Sequence, residues 1–198
     1  MRLIIWTAIN TLVTLIRRIA RFSETQYIRA VLKSCGRNFR LESGARVLHP
    51  EFISISDDVT INSYIWFSVV PLTGGENAPS LEIGKGAYIG RFVTIACTNR
   101  IVIGQDVMIS DRVFITDTFH GFSDISMPVS QQPLYSPGVV EIGHGTWVGI
   151  GACILPNVRV GKNCVIGANA VVTHDIPDYH IAVGVPARIS RRVDECRS

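Results

Sequence analysis

An apolar, β-branched residue returns at every sixth position through the C-terminal half of this chain, at Ile142, Val148, Ile154, Val160, Ile166 and Val172. Four residues after each of the first five come Thr146, Ala152, Val158, Cys164 and Ala170, which are small or medium in size. A helix face would need recurrence at three to four residues, and a plain strand would alternate without interruption. A period of six fits a short strand, a turn and another short strand, coiled so that every sixth side chain returns to the inside.

The same phase runs earlier through Ile83, Ile89, Ile95 and Ile101, and after a two-residue slip through Ile103, Ile109 and Ile115. A weaker version precedes it at Ile55, Ile61 and Phe67, with Val59 and Ile65 at the four-residue offset. The spacing predicts an all-β parallel β-helix over residues 46 to 178. Two segments carry no phase, at 69–80 and 120–138. Both contain Pro and polar punctuation, and loops on a rigid scaffold are where function concentrates.

The remainder divides in two. Residues 179–198 form a basic tail. Residues 1–45 form a helical segment, with an amphipathic helix over about 2–21 and a second helix over about 24–35, started by Ser23 and Gln26 as a capping box. The first of these holds 14 uncharged residues between Arg2 and Arg17, shorter than the roughly 20 that a spanning helix needs. "RRIARF" follows in place of a small-residue cleavage site, which argues against a removed signal peptide. Thr7, Asn10, Thr11, Thr14, Arg17, Arg18 and Arg21 recur every three to four positions, so the helix carries a narrow polar stripe and a wide apolar arc. Such a helix either lies in a membrane interface through residues 1–22 or packs on protein.

Nineteen basic against 16 acidic residues, with no basic stripe interleaved with aromatics, point away from nucleic acid. Five cysteines without CxxC spacing predict a reduced, cytoplasmic protein with no cysteine-bound metal. Cys164, at a small inward position of the repeat, reads as packing.

The hexads, His120 at the mouth of the second loop, "TWVGIGACILPNVRVG" and "GANAVVTHDIPDYHIAVGVPARI" together resemble the hexapeptide-repeat acyltransferases. Within them the chain is most similar to O-acetyltransferases of bacterial O-antigen and capsule polysaccharide. The resemblance spans residues 50 to 192 and leaves the first 45 uncovered. It implies a left-handed parallel β-helix, assembled as a homotrimer, with acetyl-CoA as acyl donor lying between adjacent prisms. The acceptor it implies is a sugar, as a small molecule or a glycolipid. Handedness follows from the resemblance only, since the general rule for parallel crossovers favours the other hand.

A sugar hydroxyl is a poor nucleophile at neutral pH, and a base must take its proton as it attacks. Histidine suits that role. The resemblance assigns it to His120 in "FITDTFHGFSD", where the residue opens the loop beyond the inward Ile115. Asp117, Asp111 or a backbone carbonyl could fix its tautomer, with Asp117 chosen as partner. The resemblance further implies an oxyanion donor at the backbone N–H of Gly149, and pantetheine pairing near Ile150 and Ala168. It sets Thr173, His174, Arg188 and Arg191 at the nucleotide end, with Trp147 at the mouth. His174 departs from the lysine common at that place. Some relatives carry an asparagine where this chain has Gly90, with Arg91 as its only substitute. Tyr135, with Gln131 or Gln132, would line the acceptor wall.

Three other readings compete. One is N-acylation of a nucleotide-linked amino sugar on the same fold. Another is a metal-dependent hydratase, which needs three converging histidines and would want a histidine where Ile125 stands. The third is a non-catalytic scaffold.

Overall fold

The computed structural model describes residues 2–72 and 78–195. One helix, α1 (Arg2–Val31), is followed by strands that wind into a left-handed parallel β-helix of triangular section. Each turn lays one strand on each of three faces. The first and third faces hold six strands each and the second eight. Registers are in phase from coil to coil: Ile83 sits beside Ile103 and Ile103 beside Ile142, while Ile89, Ile109, Val148 and Ile166 form the matching row on the second face. These rows meet inside the prism, where Ile89, Ile95, Ile109 and Ile115 are fully buried.

The two-residue slip has a simple cause. The third-face strand Thr94–Cys97 points both Ile95 and Cys97 inward before the corner, and Ile101 and Ile103 follow on the first face. The extra inward Cys97 lengthens the step across that corner by two residues.

The corners need left-handed backbone. At the first-to-second corner Asp58, Gly86, Asp106, Gly145 and Asn163 stack in that conformation, residue types that adopt it at least cost. The second-to-third corner places Tyr64, Phe92 and Arg112 there, above Gly151 and Asn169. Large side chains are disfavoured in this region, and stacking offsets the cost. The Tyr64 and Phe92 rings are nearly parallel at 5.3 Å, with the Arg112 guanidinium over Phe92 at 6.0 Å.

Three boundaries differ from the sequence expectation. The two helices are one, because no Gly or Pro interrupts residues 2–31 and helix propagation outweighs a Ser23 cap. The first coil begins at Ser34–Cys35 and not at residue 46, pairing with Ile53–Ile55. The basic tail folds back as an antiparallel pair, His180–Val183 with Arg188–Arg192, closing the second face. Residues 196–198, including Cys196, lie outside the described residues. So do 73–77 of the first loop, whose ends leave the third-to-first corner two coils before the second loop does.

Candidate functional site

Beyond Thr116 the chain leaves the third-to-first corner, and Phe119–His120 pairs antiparallel with Leu134–Tyr135. This two-rung ladder pins the ends of the loop. Thr118 adds a bond from its hydroxyl to the Tyr135 carbonyl at 3.1 Å, and the Gly121 N–H donates to the Pro133 carbonyl at 2.8 Å. Inside the loop the buried Gln132 amide donates to the carbonyls of Asp124 and Met127 and accepts from the Asp124 N–H. Gln132 is therefore a clasp for the loop, and its amide is not free to meet a sugar as the sequence reading allowed.

His120 is exposed at the mouth of a cleft of about 240 Å³. Its floor is the outer surface of the third face, with Ser68, Ala96, Phe114 and Thr116, and its walls include Thr98, Phe119 and Leu134. A ring nitrogen at the lip of a cleft bearing threonine hydroxyls can take a proton from a hydroxyl held there. Tyr135 stands beside it, its ring 5.9 Å from Phe119. Thr98, Phe119 and Leu134 carry no sequence signal of their own. They become visible only once the ladder and the coil register are known.

Asp117 does not orient His120. It is fully buried, and its carboxylate accepts from the Thr98 N–H at 2.8 Å, the Asn99 N–H at 3.0 Å and the Thr98 hydroxyl at 3.3 Å. Both oxygens are spent on the tight corner of the preceding coil. Burial, with the Asp117 carboxylate beside it, pushes the Cys97 thiol far above its ordinary range, so this sulfur is a neutral packing group. Asp111 is also committed, receiving the Arg91 guanidinium at 2.7 Å and the Arg91 N–H at 2.8 Å. The guanidinium beside it holds the Asp111 carboxyl below the usual range and is itself raised. Arg91 is thereby occupied. A side chain at Gly90 would bring its Cβ within 2.6 Å of the backbone of Ser110 and Asp111, so the missing asparagine has no room in this corner.

The remaining predicted residues lie elsewhere on the prism. Gly149, Ile150 and Ala168 occupy the second-to-third corner, and Trp147 stands half exposed on the second face with its indole N–H on the Ser110 hydroxyl at 3.0 Å. The Gly149 N–H is already given to the Ile166 carbonyl at 2.8 Å, which removes it as an oxyanion donor. Among the described residues the N–H groups of Ile150 and Ala168 have no acceptor. Both residues are exposed, on successive coils, so these donors are open to a hydrogen-bond acceptor from outside the chain. Thr173 and His174 are bonded side chain to side chain at 2.8 Å at the last third-to-first corner, while Arg188 and Arg191 are exposed on the closing pair. Within one chain, His120 and the Ile150 corner lie along opposite edges of the third face. No three His, Cys, Asp or Glu side chains gather as metal ligands among the described residues.

Comparison with known proteins agrees with this architecture. Residues 140–174 match the family described as bacterial transferase hexapeptide (six repeats). A Saccharomyces cerevisiae protein designated an acetyltransferase is 31% identical over 172 residues, covering 87% of this chain and 72% of that protein. An Escherichia coli protein designated an O-acetyl transferase of lipopolysaccharide biosynthesis is 36% identical over 111 residues, covering 52% of this chain and 56% of that protein. The chain spans only 36% to 56% of the length of several curated relatives. Among solved structures, an N-acyltransferase from Bacillus cereus in complex with dTDP and coenzyme A superposes with a TM-score of 0.72 at 22% identity, covering 85% of this chain and 88% of that one. That likeness speaks to the fold.

Proposed function

Because the chain belongs to the hexapeptide-repeat acyltransferases, we propose that it transfers acetyl from acetyl-CoA to a sugar hydroxyl, with His120 as general base. The observation that carries this reading is His120 itself, placed by a pinned ladder at the lip of a cleft in which an acceptor hydroxyl can reach its ring. His120 takes the hydroxyl proton as the oxygen attacks the thioester carbonyl, and the carbon–sulfur bond then breaks as the His120 imidazolium gives that proton to the leaving coenzyme A sulfur. The Ile150 N–H faces the developing oxyanion. Arg188 and Arg191 offer forked donors to nucleotide phosphates, with Thr173 and His174 at the neighbouring corner and Trp147 at the channel mouth. Tyr135 borders the acceptor.

The working unit in this reading is a homotrimer. An adjacent copy would bring its Ile150 corner to the first copy's His120, which one chain alone holds apart. Similarity to the lipopolysaccharide relative supports a bacterial surface polysaccharide as the final product. Among the described residues no helix is long and apolar enough to cross a membrane, and the proposed location is the cytoplasm, at the inner face of the membrane.

Thiol release from acetyl-CoA, measured against free, nucleotide-linked and lipid-linked sugars, tests the reading. Release with one hydroxyl acceptor, reduced roughly 100-fold or more by His120→Ala, is expected. Release that persists in the variant removes His120 as base. Release only with amino sugars moves the chemistry to nitrogen, and none with any acceptor returns the chain to the scaffold reading.

A further inference from the structure

The N-terminal helix stands clear of its own chain over residues 6–20, where every described side chain is exposed, the apolar ones included. Its last third is fixed to the first coil by the buried Ile28, the Arg21–Glu42 ion pair at 2.7 Å, the Thr25 hydroxyl on the Leu41 carbonyl, and Glu24 accepting the Gly44 and Ala45 N–H groups. At about 100° per residue, Trp6, Ile9, Leu12, Leu15, Ile16 and Ile19 lie on an arc about 180° wide, centred roughly 140° from the mean direction of those anchors. All six are more than half exposed. An ordinary surface helix buries such an arc against its core.

What covers the arc is indicated by charge. The first 23 residues contain four arginines and no other ionisable side chain. A stretch whose ionisable side chains are all cationic complements an anionic surface and has no acid of its own to offer a second copy. Beside the arc, α1 and the first coil enclose a groove of about 440 Å³ that includes Arg18, Arg21, Arg29 and Arg40, with Glu42 as its only acid. Arg21 is held by Glu42, and Arg29 donates to the Gly36 carbonyl. Arg18 and Arg40 have no acidic partner among the described residues. Phe22 lines this groove and also stands on the edge of the arc, so cationic and apolar surfaces are continuous.

We infer that the arginine-lined groove takes lipid phosphates, and that together with the arc it seats α1 in the plane of an anionic bilayer. The arc enters the acyl boundary while Arg18 and Arg40 meet phosphates at the headgroup level. This inference stands independently of the acetyl-transfer reading.

Flotation of the full chain with vesicles tests it, using phosphatidylcholine alone and phosphatidylcholine mixed with phosphatidylglycerol. Strong, salt-sensitive binding to the mixed vesicles and weak binding to the neutral ones are expected. Arg18→Glu with Arg40→Glu should reduce partitioning by about 30-fold or more, at roughly fivefold for each arginine. Leu12→Asp with Ile16→Asp should abolish it, with the thermal melt of the β-helix unchanged in both variants. If charge reversal lowers the melt, Arg18→Gln alone should still weaken binding severalfold. Equal binding to the two vesicle types, or binding indifferent to these substitutions, overturns the inference. So does a lipid-free oligomer dispersed by Leu12→Asp and Ile16→Asp in a protein that does not bind vesicles, because the arc would then be a surface between helices.

Discussion

The carboxylate of Asp117 accepts two backbone N–H groups and a hydroxyl while fully buried, so its replacement has a cost that can be stated. In Asp117→Asn, one amide group turns a donor toward the donors of Thr98 or Asn99. Hydrogen bonds to charged groups are worth about 1.5–3 kcal/mol each, and a loss of about 2–4 kcal/mol is expected, read as a lowered melting temperature. Acetyl transfer would fall through displacement of Thr98 in the cleft wall. A variant with unchanged melting and a collapsed rate would instead mean that Asp117 acts on His120 directly. The sequence leads to Asp117 because it is the nearest carboxylate to the histidine, three residues away. Three residues at a tight corner span the turn from one face to the next, however, and the carboxylate points back to the preceding coil. Separation along the chain carries no information about that direction, which is also why the clasp at Gln132 and the occupied N–H of Gly149 were not legible.

Between coils, one corner device repeats. Arg37 and Arg91 each donate a backbone N–H and a guanidinium to an aspartate 20 residues on, Asp57 and Asp111. Both carboxyls are lowered by their arginine. A carboxyl whose folded pKa lies below its unfolded value of about 3.9 adds stability above that pH and loses it as pH falls through the depressed value. Wild type should therefore lose more stability on acidification below about pH 4 than Asp111→Asn does, as read from melting temperature against pH. The neutral corner Gly90 tests the same packing. Gly90→Ala would place a methyl 2.6 Å from backbone atoms of the next coil, and about 1–3 kcal/mol of destabilisation is expected from overpacking, again by melting. Most of this architecture was legible, because the inward position must be apolar on every coil and so writes a period of six into the chain. The first coil was not, although Cys35, Leu41 and Val47 keep the spacing. A cysteine at the head of the row and the single helix running up to it obscure the period.

For the whole molecule, the separation of His120 from the Ile150 corner by the width of the third face is the feature from which the proposed assembly follows. The second loop supports it, because Phe122, Val129 and the fully exposed Ile125 present apolar surface that one chain does not cover. A solution mass near three times the 21.8 kDa chain is expected, reduced by Phe122→Asp with Ile125→Asp. Mass alone does not say where the sites lie, and mixing does. His120→Ala removes the base from one side of each proposed site, while Ala168→Trp, at an exposed corner position, blocks the donor channel on the other. Each variant alone should be nearly inactive. If sites form between neighbours, unfolding and refolding an equal mixture should restore about a quarter of them, from random assortment around a closed ring. If each site belongs to a single chain, no mixture recovers any activity, because every chain then carries one defect or the other.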